Sequence, residues 1–169
     1  MLAELITKFA VISFAVLALA AATNDMLTLR IPNLINAAMV VCFAVFVVSV
    51  GPQWPHVLSV ALAVAVFALG AGAFSRGWVG GGDVKMLAVV SLWAGPGLLA
   101  PTLIIIVMTG GLLALFAVTP VWRAWRWMTV PLGGTGLVGA NGKAVIPYGL
   151  AIACGALFVA QRMLGLNLL

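Results

Sequence analysis

Apolar runs close to 18 residues long follow one another along almost the whole of this chain, and they leave it few ways to fold. A run of that length is what an α-helix needs to cross the hydrocarbon of a bilayer. Lipid offers the backbone no hydrogen-bonding partner, so the spanning segments must be helices that satisfy their own amides. Composition agrees. Of 169 residues, 65% are apolar and 7% are charged, whereas a soluble domain carries about 25% charged residues. Too few charges remain to cover a surface facing water. The expected class is all-α, a polytopic membrane protein.

The runs fall at residues 5–22, 34–50, 57–74, 83–94, 98–118 and 145–164, which predicts about six transmembrane helices in a single domain over 1–169. Gly95-Pro96-Gly97 separates the fourth run from the fifth; if it bends one helix rather than ending it, the count is five. Lys8 beside the first run is compatible with a signal peptide, but the run is long and the polar stretch over 23–33 does not open a secreted domain. A retained helix is expected. The longest polar segment, 119–144, begins with Trp122-Arg123-Ala124-Trp125-Arg126-Trp127, which reads as a basic aromatic helix lying along the interface. Its glycine-rich second half reads as flexible.

The net charge is +5. In a soluble protein such an excess suggests nucleic acid, but here the cations lie between apolar runs, where they set topology. Arg30, Arg76, Lys85, Arg123, Arg126 and Lys143 fall in the odd-numbered connections, against Lys8 and Arg162 towards the other side. The odd connections are therefore expected in the cytoplasm, with both termini outside it. Trp54, Trp78, Trp122, Trp125 and Trp127 suit an interfacial belt, and Trp93 falls inside a run. Cys42 and Cys154 sit in apolar runs without CxxC spacing, which gives no support to zinc or a disulfide.

Acids are scarcer than bases. They are Glu4, Asp25 and Asp83. Asp83 follows Gly80-Gly81-Gly82 at the entry to an apolar run, and Asp25 lies in the first connection, so the topology puts both on one side. Ionisable groups near membrane depth are costly and mark functional sites. Two carboxyls close together share a proton, since both cannot ionise cheaply at once. Such a pair can hydrolyse a peptide without metal or covalent nucleophile: one activates water while the other, protonated, polarises the carbonyl. Gly80 and Gly82 would let an extended substrate backbone approach. A plainer reading stays open, in which Asp83 caps a helix and Asp25 pairs with Arg30. His56, the single histidine, lies on the opposite side and reads as exposed polar surface. No Ser–His arrangement, HExxH, metal cluster or phosphate-binding loop is present. Lys85, two residues past Asp83, reads as an anchor for lipid phosphate.

Gly80-x-Gly82-Asp83-Val84-Lys85, with upstream Asp25 and then Arg30-Ile31-Pro32-Asn33, resembles the type IV prepilin peptidase family of GxGD intramembrane aspartyl proteases. Ile146-Pro147-Tyr148-Gly149 is similar to the family's proline-containing start to its last helix. The resemblance implies that Asp25 and Asp83 are the catalytic pair, with Gly80 and Gly82 at the substrate. It also implies removal of a basic prepilin leader after a glycine, ahead of a hydrophobic helix, at the cytoplasmic face of the inner membrane. No cofactor, metal or nucleic acid is expected. Larger members carry an N-terminal region with paired CxxC motifs associated with N-methylation; without those motifs, methyltransferase activity is expected to be absent. The short form resembles members serving tight-adherence pili, or archaeal preflagellin enzymes. The rival readings are a small proton- or cation-coupled transporter, and a non-enzymatic pilus-assembly scaffold.

Overall fold

The computed structural model describes residues 1–119 and 146–165. These form α1 (Leu2–Thr28), α2 (Asn33–Val50), α3 (Trp54–Ser75), α4 (Gly81–Ala117) and α5 (Tyr148–Met163). The first four are long and apolar enough to cross a membrane. The interfacial helix and flexible stretch expected over 119–144 lie, apart from Thr119, outside the described residues.

The first helix runs further than its apolar residues do. The connection expected to begin at Thr23 stays helical through Thr28, because nothing in it breaks a helix. Thr23 and Thr28 fold their hydroxyls onto the carbonyls of Leu19 and Asn24, at 2.9 and 2.8 Å, as Ser and Thr do inside membrane helices. The helix stops at Leu29, in the left-handed region with φ 54°. Asp25 is therefore a helical residue rather than a loop residue. Thr23 to Thr28 ride on a helix that the apolar run before them had already started.

Helix α4 is one element only by continuity. Gly95 has φ 56° and ψ −171°, far from helical values, and Pro96 follows it. The two arms run in opposite directions. Gly110 packs on Tyr148, since a Cβ there would lie 2.9 Å from the tyrosine ring; Tyr148 in turn shares a cavity with Asp83. A straight helix would hold Asp83 and Gly110 about 40 Å apart. The break expected at Gly95-Pro96-Gly97 thus folds the chain back on itself, giving six apolar helical segments in five helices among the described residues.

The first arm of α4 is the central post. Val84, Met86 and every residue over 88–95 are buried. Helix α3 runs antiparallel to this arm, with Gly70 against Val84 at one end and Ser59 against Gly95 at the other. Helix α5 runs antiparallel to the second arm, with Gly155 against Ile106 and Thr102. Helices α1 and α5 also pack on each other, and both carry small buried residues, Ala18, Ala21 and Ala22 on one and Ala151, Ala153 and Ala156 on the other, all at most 2% exposed. Small residues let backbones approach where lipid gives no hydrophobic drive to associate. Gly70 and Gly110 leave no open notch, since Val84 and Tyr148 fill the space beside them.

Away from the glycine loop, aromatic rings close the bundle. Phe14 stacks on Trp93 at 4.4 Å, and Phe43 and Phe46 each lie 5.5 Å from Trp93. Trp93 lies inside a helix, as expected, and is buried in the bundle, where its indole N–H donates to the Met39 carbonyl at 3.1 Å, the partner a buried indole needs. His56 corrects its reading as mere exposed surface. Its Nδ1 accepts the Gln53 backbone N–H at 3.1 Å, and its ring meets Phe43 and Phe46 edge-on. It holds the start of α3 against the aromatic cluster.

Candidate active site

Asp25 lies on the last turn of α1 and is 6% exposed. Its Oδ2 accepts the backbone N–H of Gly149 at 2.9 Å, across 124 residues of chain. The sequence sets this up at the other end. Pro147 adopts extended backbone at the N-cap of α5, and the first turn of any helix has amides without internal partners. Asp25 supplies one of those partners from outside the helix, where a carboxylate also suits the positive end of the dipole. Only glycine fits at 149. A Cβ there would lie 2.8 Å from Asp25 Oδ2 and 2.9 Å from Asp25 Cβ.

Asp83 is held differently. Gly80 is the N-cap of α4 in extended backbone, and Asp83 is the third helical residue. Its carboxylate turns back on the Gly80 amide, so close that a Cβ at Gly80 would sit 2.8 Å from Asp83 Oδ2. This is the returning half of a capping box, with the cap position itself given to glycine. Asp83 is thus not the N-cap that its spacing allowed.

The two aspartates border the same space. Asp25 and Asp83 both line a cavity of about 560 Å³ with Leu29, Trp78, Val79, Gly80, Ile146 and Tyr148. Both also line a smaller one of about 280 Å³, walled by Leu29, Arg30, Ile31 and Gly80, Gly81 and Gly82. They are within electrostatic reach of each other, and no direct hydrogen bond joins them among the described residues. Each gives one oxygen to a backbone amide, which leaves the others for water or substrate. The ion pair Asp25–Arg30 is not formed; the pair found among the described residues is Lys8–Glu4, at the far end of α1.

Gly80 borders both cavities, and Gly82 borders the smaller. Their roles divide. Gly80 faces Asp83 and open space, whereas Gly82 is a contact for Ile31, whose Cβ and backbone N would lie 3.2 and 3.4 Å from an added Cβ. Lys85 donates to Asn33 Oδ1 at 2.8 Å, a partner that its reading as a lipid-phosphate anchor did not include. Sequence reasoning also missed the walls: Leu29, Ile31, Trp78 and Tyr148. Trp78, which suits the interface, borders the larger cavity too, with the Arg76 guanidinium 5.4 Å from its ring centre. The signal available for Gly149 was its place after Pro147 at a helix start, where free amides are expected.

A family model described as the type IV leader peptidase family matches residues 12–115, more than half of the chain and a range that holds both aspartates and the glycine loop. No curated protein and no solved structure matches the chain.

Proposed function

This chain belongs to the type IV leader peptidase family, and we propose that it is a membrane aspartyl endopeptidase that removes the basic leader of type IV prepilins. The observation that carries the reading is that Asp25 and Asp83, from helices far apart in sequence, border the same two cavities. One carboxylate takes a proton from water, which attacks the scissile carbonyl. The other, protonated, donates to the oxygen as negative charge develops on it, and protonation of the departing amine completes the cleavage. The amides of Gly149 and Gly80 orient the pair before substrate arrives, by holding one oxygen of each in place. Gly80 gives an extended backbone room to reach Asp83.

The substrate we assign has a cationic leader, a glycine before the cut and an apolar helix after it, as in tight-adherence pilins. The apolar helix stays in the bilayer, and the cut falls at its cytoplasmic edge in the inner membrane. The surplus of cations in the odd-numbered connections supports that orientation, with six crossings, both termini outside the cytoplasm and both aspartates towards it. No methyl transfer, metal or cofactor is assigned.

Cleavage of a leader-bearing pilin precursor by the protein in proteoliposomes tests this, with Asp25→Asn and Asp83→Asn made singly. The expected result is processed pilin from the wild type and none from either variant. Wild-type cleavage by either variant rejects the pair. Aspartate-dependent proton or cation flux with the precursor unchanged makes the protein a transporter instead, and neither activity leaves the scaffold reading.

A further inference from the structure

Between the two aspartates runs a short strap, residues 29–33, and it is fastened at both ends. At the α1 end, Asn24 Nδ2 donates to the Arg30 carbonyl at 2.6 Å and to Thr28 Oγ1 at 3.2 Å. These bonds turn the chain back where Leu29 leaves the helix. At the α4 end, buried Ile31 seats against Gly82, and Asn33 Oδ1 accepts from Lys85 Nζ at 2.8 Å. The two α4 contacts bracket Asp83, one residue before it and two after. Lys85 is exposed and lies about 200° round the helix from Asp83. It therefore faces away from the carboxyls and is not their ion partner.

We propose that Lys85 is a positioning residue for Asp83: its bond to Asn33, together with Ile31 seated at Gly82, locks the start of α4 to the strap and so sets the spacing of the two aspartates. The geometry gives each fastening a separate job. Ile31 at Gly82 fixes how closely the strap approaches, because any side chain at 82 would push it away. Lys85 on Asn33 fixes rotation, because it ties the first turn of α4 to the first turn of α2 on the face opposite Asp83. Strap residues Leu29, Arg30 and Ile31 wall the smaller cavity, so releasing the lock changes both the carboxyl separation and that cavity. The lysine acts through its hydrogen bond. Its charge is not what the site uses.

This rests on the reading of Asp25 and Asp83 as a catalytic pair, and the test has one arm that does not. In the first arm, Lys85→Met, Asn33→Ala, the double variant and Lys85→Arg are assayed in proteoliposomes. The substrate is a synthetic peptide carrying a basic segment, a glycine and an apolar helix. Each single loss is expected to lower kcat about tenfold with KM changed less than about twofold, since misplacing reacting groups slows chemistry more than binding. The double variant is expected to be no slower than either single one, the sign of a shared contact. Lys85→Arg, which keeps a donor for Asn33, is expected to recover most of the rate. Full activity of Lys85→Met, additive losses in the double variant, or an effect confined to KM overturns the proposal.

The second arm needs no activity. Asp25→Cys and Asp83→Cys are combined, with Cys42 and Cys154 replaced by Ala, and the rate of bridging by a short bis-methanethiosulfonate, which releases methanesulfinate at each thiol, is followed. Lys85→Met is expected to slow bridging about fivefold or more, as a reach-limited reaction demands, and Lys85→Arg to restore it. An unchanged bridging rate overturns the lock. If the wild type cleaves nothing, the protease reading fails while this arm still decides the role of Lys85.

Discussion

Asp25 and Asp83 border the same cavities, yet they are held by opposite strategies. Asp83 is positioned by its own helix: the glycine three residues before it supplies the amide, and the helix start fixes its direction. Asp25 is positioned by the amide of Gly149, 124 residues later, at the start of another helix. One carboxylate is placed by local geometry, the other by tertiary structure. The first can be expected to keep its orientation whenever the turn at Gly80 forms. The second has its orientation only when α1 and α5 are packed.

The largest effect expected is loss of the chemistry itself. Asp25→Asn or Asp83→Asn should each lower cleavage by about a thousandfold or more, read from precursor and product bands, because neither amide can replace a carboxyl that shuttles a proton. The rate of the wild type should show two limbs against pH and fall on both sides, as two coupled acids require. A flat profile would break the pairing.

The contrast between the two aspartates is sharpened by a pair of alanines. Gly149→Ala puts a methyl against Asp25 Oδ2 and Cβ, at 2.8 and 2.9 Å, where the backbone of two packed helices must give way. Its kcat should fall about a hundredfold, the scale for a displaced catalytic group. Gly80→Ala meets only the far end of the Asp83 side chain, which can swing aside, so a loss nearer tenfold is expected on the same scale. Equal losses would show that both carboxyls are held in one way after all.

Two further substitutions test the frame rather than the site. Gly95→Ala combines a left-handed φ of 56° with a Cβ 2.7 Å from Ser59 Oγ, and should cost about 1–3 kcal/mol in thermal unfolding in mild detergent. Gly72→Ala meets nothing closer than an arginine tip at 3.9 Å. It should change stability by no more than about 0.5 kcal/mol. A large loss there would mean that α3 carries packing on the face that now looks outward.

How far the sequence discloses this molecule follows the same division. Helices and their break could be read, since apolar length and the Gly95-Pro96-Gly97 signal are local. Asp83 was legible for the same reason, with its glycines beside it. Asp25 could be singled out by scarcity and parity, but its partner could not. An amide has no side chain to advertise it, and periodicity says nothing of a contact spanning most of the chain. The end of α1 was misjudged because polar residues were taken for a connection, when Thr23 and Thr28 satisfy their hydroxyls within the helix. That Val84 and Tyr148 fill the space beside Gly70 and Gly110 could not be read, since register alone chooses them.

The bond between Gly149 and Asp25 also has a meaning in time. A ribosome makes α1 early and α5 late, so for most of synthesis Asp25 is without the Gly149 amide. The other aspartate and both of its glycines are already in place by then. The nascent protein therefore holds half of its working parts ready and withholds the other half until the helix beginning at Tyr148 has been threaded in. If the pair acts as proposed, cleavage is expected only once α5 has packed against α1 and Gly149 has reached Asp25.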